Sequence, residues 1–156
     1  MMTKTTDAAL PVHLRERVAQ AFELLGRFPM ALIQLAARFA LAGVFWRSGQ
    51  SKIASWEFTV QLFRDEYRVP LVSPEFAAMM ATTFELACPV LLVLGLGTRL
   101  ATLPLLGMAA VIQLFVYPQS WPEHLTWVAL LLLLLTRGPG PISLDYLVGR
   151  FLGRKG

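Results

Sequence analysis

The sequence predicts an all-α integral membrane protein. The expected architecture is a four-helix transmembrane bundle with amphipathic interfacial helices at both ends and one more on the outer side. Three observations carry this reading. The 156-residue chain is 56% hydrophobic and only 15% charged, against about 25% charged residues in a soluble domain. A small soluble fold leaves much of its surface exposed and has no room to bury so much apolar side chain. The few charges are also segregated: residues 28–46 hold only Arg38, residues 76–98 hold only Glu85, and residues 100–122 and 125–136 hold none. Finally, no segment alternates apolar and polar residues with a period of two, which argues against a β-barrel.

Taken in order, residues 1–29 read as a cytoplasmic amphipathic segment. Within 12–28, Leu14, Val18, Phe22 and Leu25 recur at helical spacing, with Arg15, Glu16, Arg17 and Glu23 between them. The membrane domain is expected over 30–142, with spans at about 30–49, 75–96, 100–118 and 121–137, each near the roughly 20 residues a bilayer core requires. Ser73-Pro74-Glu75 supplies an N-cap, a first-turn proline and an acid for the second span. Ser120 and Glu123 have capping-box spacing for the fourth. Gly95-Leu96-Gly97 and Gly138-Pro139-Gly140-Pro141 terminate the second and fourth spans. Residues 56–69 place Trp56, Val60, Phe63 and Tyr67 on one stripe, and this outer helix caps the bundle or forms a lid. Ser143 and Asp145 open a cytoplasmic amphipathic helix within 143–156, in which Leu144, Leu147, Val148, Phe151 and Leu152 oppose Asp145, Arg150 and Arg154.

With four spans, one side collects nine Lys and Arg residues, from Lys4 through Arg99 and Arg137 to Lys155. The other holds four, Arg47, Lys52, Arg64 and Arg68. The positive-inside rule then places both termini in the cytoplasm of a bacterial inner membrane. The first span follows a charged 29-residue lead without a small-residue cleavage site, and so reads as a retained anchor.

Several chemistries are excluded. One cysteine, Cys88, makes neither an internal disulfide nor a CxxC centre. His13 and His124 are too far apart for a helical ligand pair, and the adjacent Glu123 and His124 diverge by about 100° on a helix. Metal binding is therefore not expected, and Met79, Met80 and Met108 read as packing. No GxGxxG, Walker motif or haem-ligand pair is present, so no internally bound cofactor is expected. The net charge of +4 reads as membrane orientation, not nucleic-acid binding.

The chain resembles the DoxX family over roughly residues 30–150. The resemblance lies in Arg38-x7-Trp46-Arg47-Ser48-Gly49-x2-Lys52, Phe84-Glu85-Leu86, the turn Gly95-Leu96-Gly97-Thr98-Arg99-Leu100-Ala101, and Gly138-Pro139-Gly140-x2-Ser143-Leu144-Asp145. The segments 64–70 and 117–124 are similar to a proteobacterial subset linked with metal-stress gene clusters. The resemblance implies a four-helix inner-membrane bundle. It also implies an accessory role in a redox or stress-response pathway, with membrane quinone or a partner oxidoreductase as partner, and it supplies no catalytic residue set.

Two candidate sites follow from the residues. Arg38 and Glu85 each fall near the middle of a span when counted from its first residue, at about 12 and 15 Å. Opposite charges at one depth are expected to face each other, which lowers the cost of burying either. Pro89 leaves the carbonyl of Glu85 without its helical donor, and Gln34 and Thr82, one turn away, complete this buried polar site. It is either a structural ion pair or a proton-linked or quinone site. The second candidate is an outer mouth of Arg47, Lys52, Gln113, Tyr117 and His124, walled by Trp121 and Trp127 with Trp46 nearby. Its polar groups suit quinone carbonyls, while interfacial anchoring explains the aromatics equally well. Whether the chain is an enzyme subunit stays open. The leading expectation is an accessory subunit interacting with membrane quinone or an oxidoreductase. The alternatives are a non-enzymatic scaffold or export component for a metal- or oxidant-stress system, and a small-solute or proton channel. A protein partner or a second copy of the chain is expected alongside the lipid bilayer.

Overall fold

Seven α-helices build the fold seen in the computed structural model, which describes residues 11–153. The expectations for residues 1–10, and for Lys4, Arg154 and Lys155 in the charge tally, lie outside the described residues. The helices are α1 (Val12–Gly26), α2 (Met30–Ala54), α3 (Trp56–Leu62), α4 (Pro74–Leu94), α5 (Thr98–Val111), α6 (Trp121–Arg137) and α7 (Leu144–Phe151). Two π-helical turns, Phe63–Tyr67 and Ile112–Val116, extend α3 and α5.

The four long helices pack in the cyclic order α2, α4, α5, α6 and back to α2, each antiparallel to its neighbours. Their shared core contains Leu41, Phe45, Cys88, Leu92, Leu105, Leu131 and Leu134. Many apolar side chains point away from it, among them Phe39, Val90, Leu100 and Leu132. That outward apolar surface is what a bilayer solvates. Three helices are long and apolar enough to cross a membrane: Met30–Ala54, Pro74–Leu94 and Thr98–Val116. The fourth, α6, has 17 residues.

Local signals explain most helix ends. Ser73 Oγ accepts from Phe76 N at 3.3 Å, so the N-cap of α4 forms as its sequence predicts. Gly95 ends α4 in the left-handed region at φ 65°, and Leu96 N donates to Leu91 O across it. This is the six-to-one bond of a glycine-terminated helix. Ser143 caps α7 through Tyr146 N. The capping box expected at Ser120 does not form. Ser120 ends a 3₁₀ turn (Pro118–Ser120) with ψ 27°, not the extended backbone a capping side chain needs.

Small residues on the spans differ in what they pack against. A Cβ added at Gly43 or Gly107 would meet nothing within 4 Å, so neither glycine is a close approach inside the chain. Gly49 is the close approach: a Cβ there would lie 2.9 Å from Leu86 Cγ and 3.0 Å from Glu85 Cβ. Gly49 therefore sets the axial register between α2 and α4.

Candidate functional site

That register separates the two charges expected to pair. Gly49 stands level with Glu85, and Arg38 is eleven residues back along α2, about 16 Å along the axis. Counting each helix from its own first residue hid this offset, because α2 overhangs the end of α4 by its first two turns. Arg38 comes level with Gly95, just past the last residue of α4.

The C-terminus of a helix leaves carbonyls without donors, and Arg38 supplies them. Nε donates to Leu92 O at 2.6 Å, Nη2 to Val93 O at 2.6 Å, and Nη1 to Pro139 O at 3.3 Å and to Ile142 O. The planar guanidinium thus joins the end of α4 to the loop after α6. Gln34 adds Nε2 donations to Arg137 O and Gly138 O at 3.2 and 3.0 Å. Asp145 of α7 completes this end by accepting from Gly97 N at 2.7 Å and Thr98 N at 3.0 Å, a long-range N-cap for α5. The buried polar site predicted from Arg38, Gln34, Thr82 and Glu85 is therefore not one site. Thr82 bonds back to Ala78 O, and Arg38 does not reach the Glu85 carbonyl that Pro89 was expected to free. The arginine end is a structural clamp.

Glu85 has a different cation. Lys52 Nζ lies 2.7 Å from Oε2 and 2.9 Å from Oε1, and Ser48 Oγ donates to Oε1 at 3.0 Å. Lys52 also donates to Ser48 Oγ at 2.9 Å. Ser48 and Lys52 sit one turn apart on one face of α2, and Gly49 between them lets α4 approach closely enough for Glu85 to reach both. Glu85 is 2% exposed in its side chain and Lys52 13%. Ser48 belongs to this cluster although its residue type alone gave no reason to single it out. Its i,i+4 spacing from Lys52 was the usable signal.

The cluster forms the polar end of a cavity of about 670 Å³, within the roughly 300–1,000 Å³ of small-ligand sites. Phe76, Met80 and Phe84 of α4 and Met108, Val111 and Ile112 of α5 and its π turn line it with apolar surface. Phe63 and Tyr67 of the outer π turn reach it too, as do Tyr117, His124 and Trp127. Both π turns thus contribute to its wall, a placement that recurs at functional sites. Burial and the neighbouring Tyr117 hold the Tyr67 phenol above its ordinary range, so it stays protonated.

Of the residues expected at the outer mouth, Lys52, Tyr117, His124 and Trp127 line this cavity. Gln113 stands behind His124, with Oε1 2.7 Å from Nδ1. Arg47 and Trp121 do not line it and are exposed. Trp46 borders a separate apolar groove between α2 and α4, with Phe39, Gly43, Pro89 and Val93. Among the described residues no three of His, Cys, Asp and Glu converge as a metal site would require.

No curated protein and no solved structure matches the chain. A family comparison does: the DoxX model covers residues 33–118, from the start of α2 through α4 to the end of the π turn after α5. That interval is more than half of the sequence and holds Ser48, Lys52, Glu85 and most of the cavity wall, and the chain belongs to the DoxX family of membrane proteins.

Proposed function

We propose that the cavity binds a membrane-borne amphiphile with a polar ring headgroup, a quinone in the first instance. The protein then serves as a membrane accessory subunit of a redox pathway and carries no resident cofactor. One observation supports this above the others: a half-buried Ser48–Lys52 pair on the buried Glu85 carboxylate, together with His124, borders one cavity whose remaining walls are mostly apolar and aromatic. A ring with oxygen substituents meets hydrogen-bonding groups there, and an isoprenoid tail meets Met and Phe.

The residues fit such a group by chemistry and by size. The Tyr67 and Tyr117 hydroxyls and His124 exchange hydrogen bonds with ring oxygens, and Trp127 and Phe84 offer π surfaces. Glu85 neutralises Lys52, so a neutral headgroup meets no uncompensated charge. A quinone, when bound, supplies a carrier of two electrons and two protons. The chain's own contribution is binding, orientation and exclusion of water.

The test is purification from native membrane in mild detergent, followed by a lipid-extract quinone assay. Near-stoichiometric quinone is expected, and Met108→Trp, which fills the cavity, should release it with the fold intact. Absence of quinone, together with no uptake of added quinone, sinks the proposal. A stoichiometric protein partner without quinone would favour the scaffold reading.

A further inference from the structure

The cavity holds one group whose hydrogen-bonding role is fixed by its neighbours. Gln113 has two contacts: Nε2 donates to Pro118 O at 2.9 Å, and Oε1 lies 2.7 Å from His124 Nδ1. A backbone carbonyl only accepts, so the Gln113 atom facing Pro118 is the amide nitrogen. The opposite orientation would set two oxygens against each other at 2.9 Å. The atom facing His124 is therefore the amide oxygen, which also only accepts. Nδ1 must carry the proton, and in the neutral imidazole Nε2 is left with a bare lone pair.

No hydrogen bond to that nitrogen is formed among the described residues. His124 is buried, lines the cavity, and packs against Trp127 with ring centroids 5.0 Å apart. Its edge and tilt are thus held from two sides. Elsewhere on the cavity wall, the three donors of the Lys52 ammonium are taken by Ser48 Oγ, Glu85 Oε1 and Glu85 Oε2. The Tyr67 and Tyr117 hydroxyls can donate or accept and so set no preference. Ser120 can likewise donate or accept, and Glu123 at the rim adds only an acceptor. The fixed polar asymmetry of the site is therefore unfilled acceptors, His124 the buried one, beside an engaged donor at Lys52.

This bears on the ligand's oxidation state and rests on the reading of the cavity as an amphiphile site. We infer that the cavity selects a ring bearing an O–H, a hydroquinone or related phenol, which donates to His124 Nε2, over the same ring bearing a bare carbonyl. A carbonyl oxygen placed against that lone pair finds no donor and leaves both groups unsatisfied. Gln113 is the positioning residue: it touches no ligand and acts by holding the imidazole in one tautomer.

The experiment is calorimetric titration of the full chain in detergent, without oxygen and at about pH 8. The probes are a decyl-chain benzoquinone and its chemically reduced hydroquinone. The hydroquinone is expected to bind about tenfold tighter, roughly the worth of one buried hydrogen bond. Gln113→Leu should bring the ratio of the two affinities towards one, because either ring nitrogen can then carry the proton. A merely structural role for Gln113 would weaken both probes by the same factor and leave the ratio unchanged. Wild-type protein that binds the two forms equally, or prefers the quinone, overturns this inference and leaves the amphiphile site standing. Wild-type protein that binds neither form overturns both.

Discussion

Arg38 gives its hydrogen bonds to backbone carbonyls alone, and that decides what its removal does. Arg38→Met keeps the length of the side chain but removes this donor from the carbonyls of Val93, Pro139 and Ile142, and from Leu92 O, which keeps only its bond from Gly95 N. Each buried unsatisfied group costs about 1–3 kcal/mol, so a loss of at least about 3 kcal/mol is expected in denaturant unfolding. Arg38→Lys should recover only part of it, because one ammonium cannot span the same fork of acceptors. Binding at the distant cavity, measured per folded molecule, should not change. Lys52 and Glu85 behave differently because each is the other's counter-charge. Either Lys52→Met or Glu85→Met alone strands a buried charge and should cost about 3–5 kcal/mol, whereas the double variant should cost less than either single one. Strictly additive losses in that cycle would show that the pair is not coupled. Arg38 and Glu85 were legible in the sequence as lone ions in apolar helices. Their partners were not, because hydropathy says that a helix crosses and not how far it slides against its neighbour. Lys52 was assigned to the outer mouth, apart from Glu85, because the first span was ended at residue 49, and α2 runs on to Ala54.

Glycines at three places make the same point for elements. Gly49 lies where α4 presses on α2, and Gly95 ends α4 with a positive φ, where a Cβ would come 2.5 Å from Ser143 Cβ. Gly43 is in open space on the same helix as Gly49. Gly43→Ala should be neutral or stabilising by up to about 1 kcal/mol, from helix propensity alone. Gly49→Ala should cost about 1–3 kcal/mol by pushing α4 outward. Gly95→Ala should be the most damaging, adding backbone strain to the collision. The order of the three melting temperatures checks the register, and a Gly49→Ala protein as stable as wild type would contradict it. Helix starts were readable where one residue does the work, as at Ser73, and failed at Ser120, where a preceding 3₁₀ turn sets the wrong backbone. The helices over 12–26 and 144–151 were readable from their spacing. Long-range caps such as Asp145 on α5 were beyond reach, since nothing local to Gly97 signals a carboxylate 48 residues away.

At the scale of the molecule, the clamp at the arginine end constrains how α6 sits in the bilayer. At 17 residues, α6 is about 26 Å long, short of a hydrocarbon core of about 30 Å. Yet its two ends meet the two ends of its neighbours. His124 contacts Gln113 near the end of the third span, and Arg99 at the start of α5 donates to Thr136 O. The loop after α6 is held by Arg38 and Gln34 at the level where α4 ends. A helix fastened at both levels must cross wherever α5 crosses, with local thinning or flanking residues making up the difference. We therefore expect four crossings, with Leu71 on one side of the membrane and Arg150 on the other. Cys88 is buried in the core, and Cys88→Ser provides a background for labelling. Leu71→Cys, at a fully exposed position, should react with an impermeant maleimide in intact cells. Arg150→Cys should react only after the membrane is opened, as the distribution of basic residues requires. Labelling of both in intact cells would mean that α6 does not cross. Since Arg38 and Asp145 tie that region to the ends of α4 and α5, the clamp itself would then be wrong.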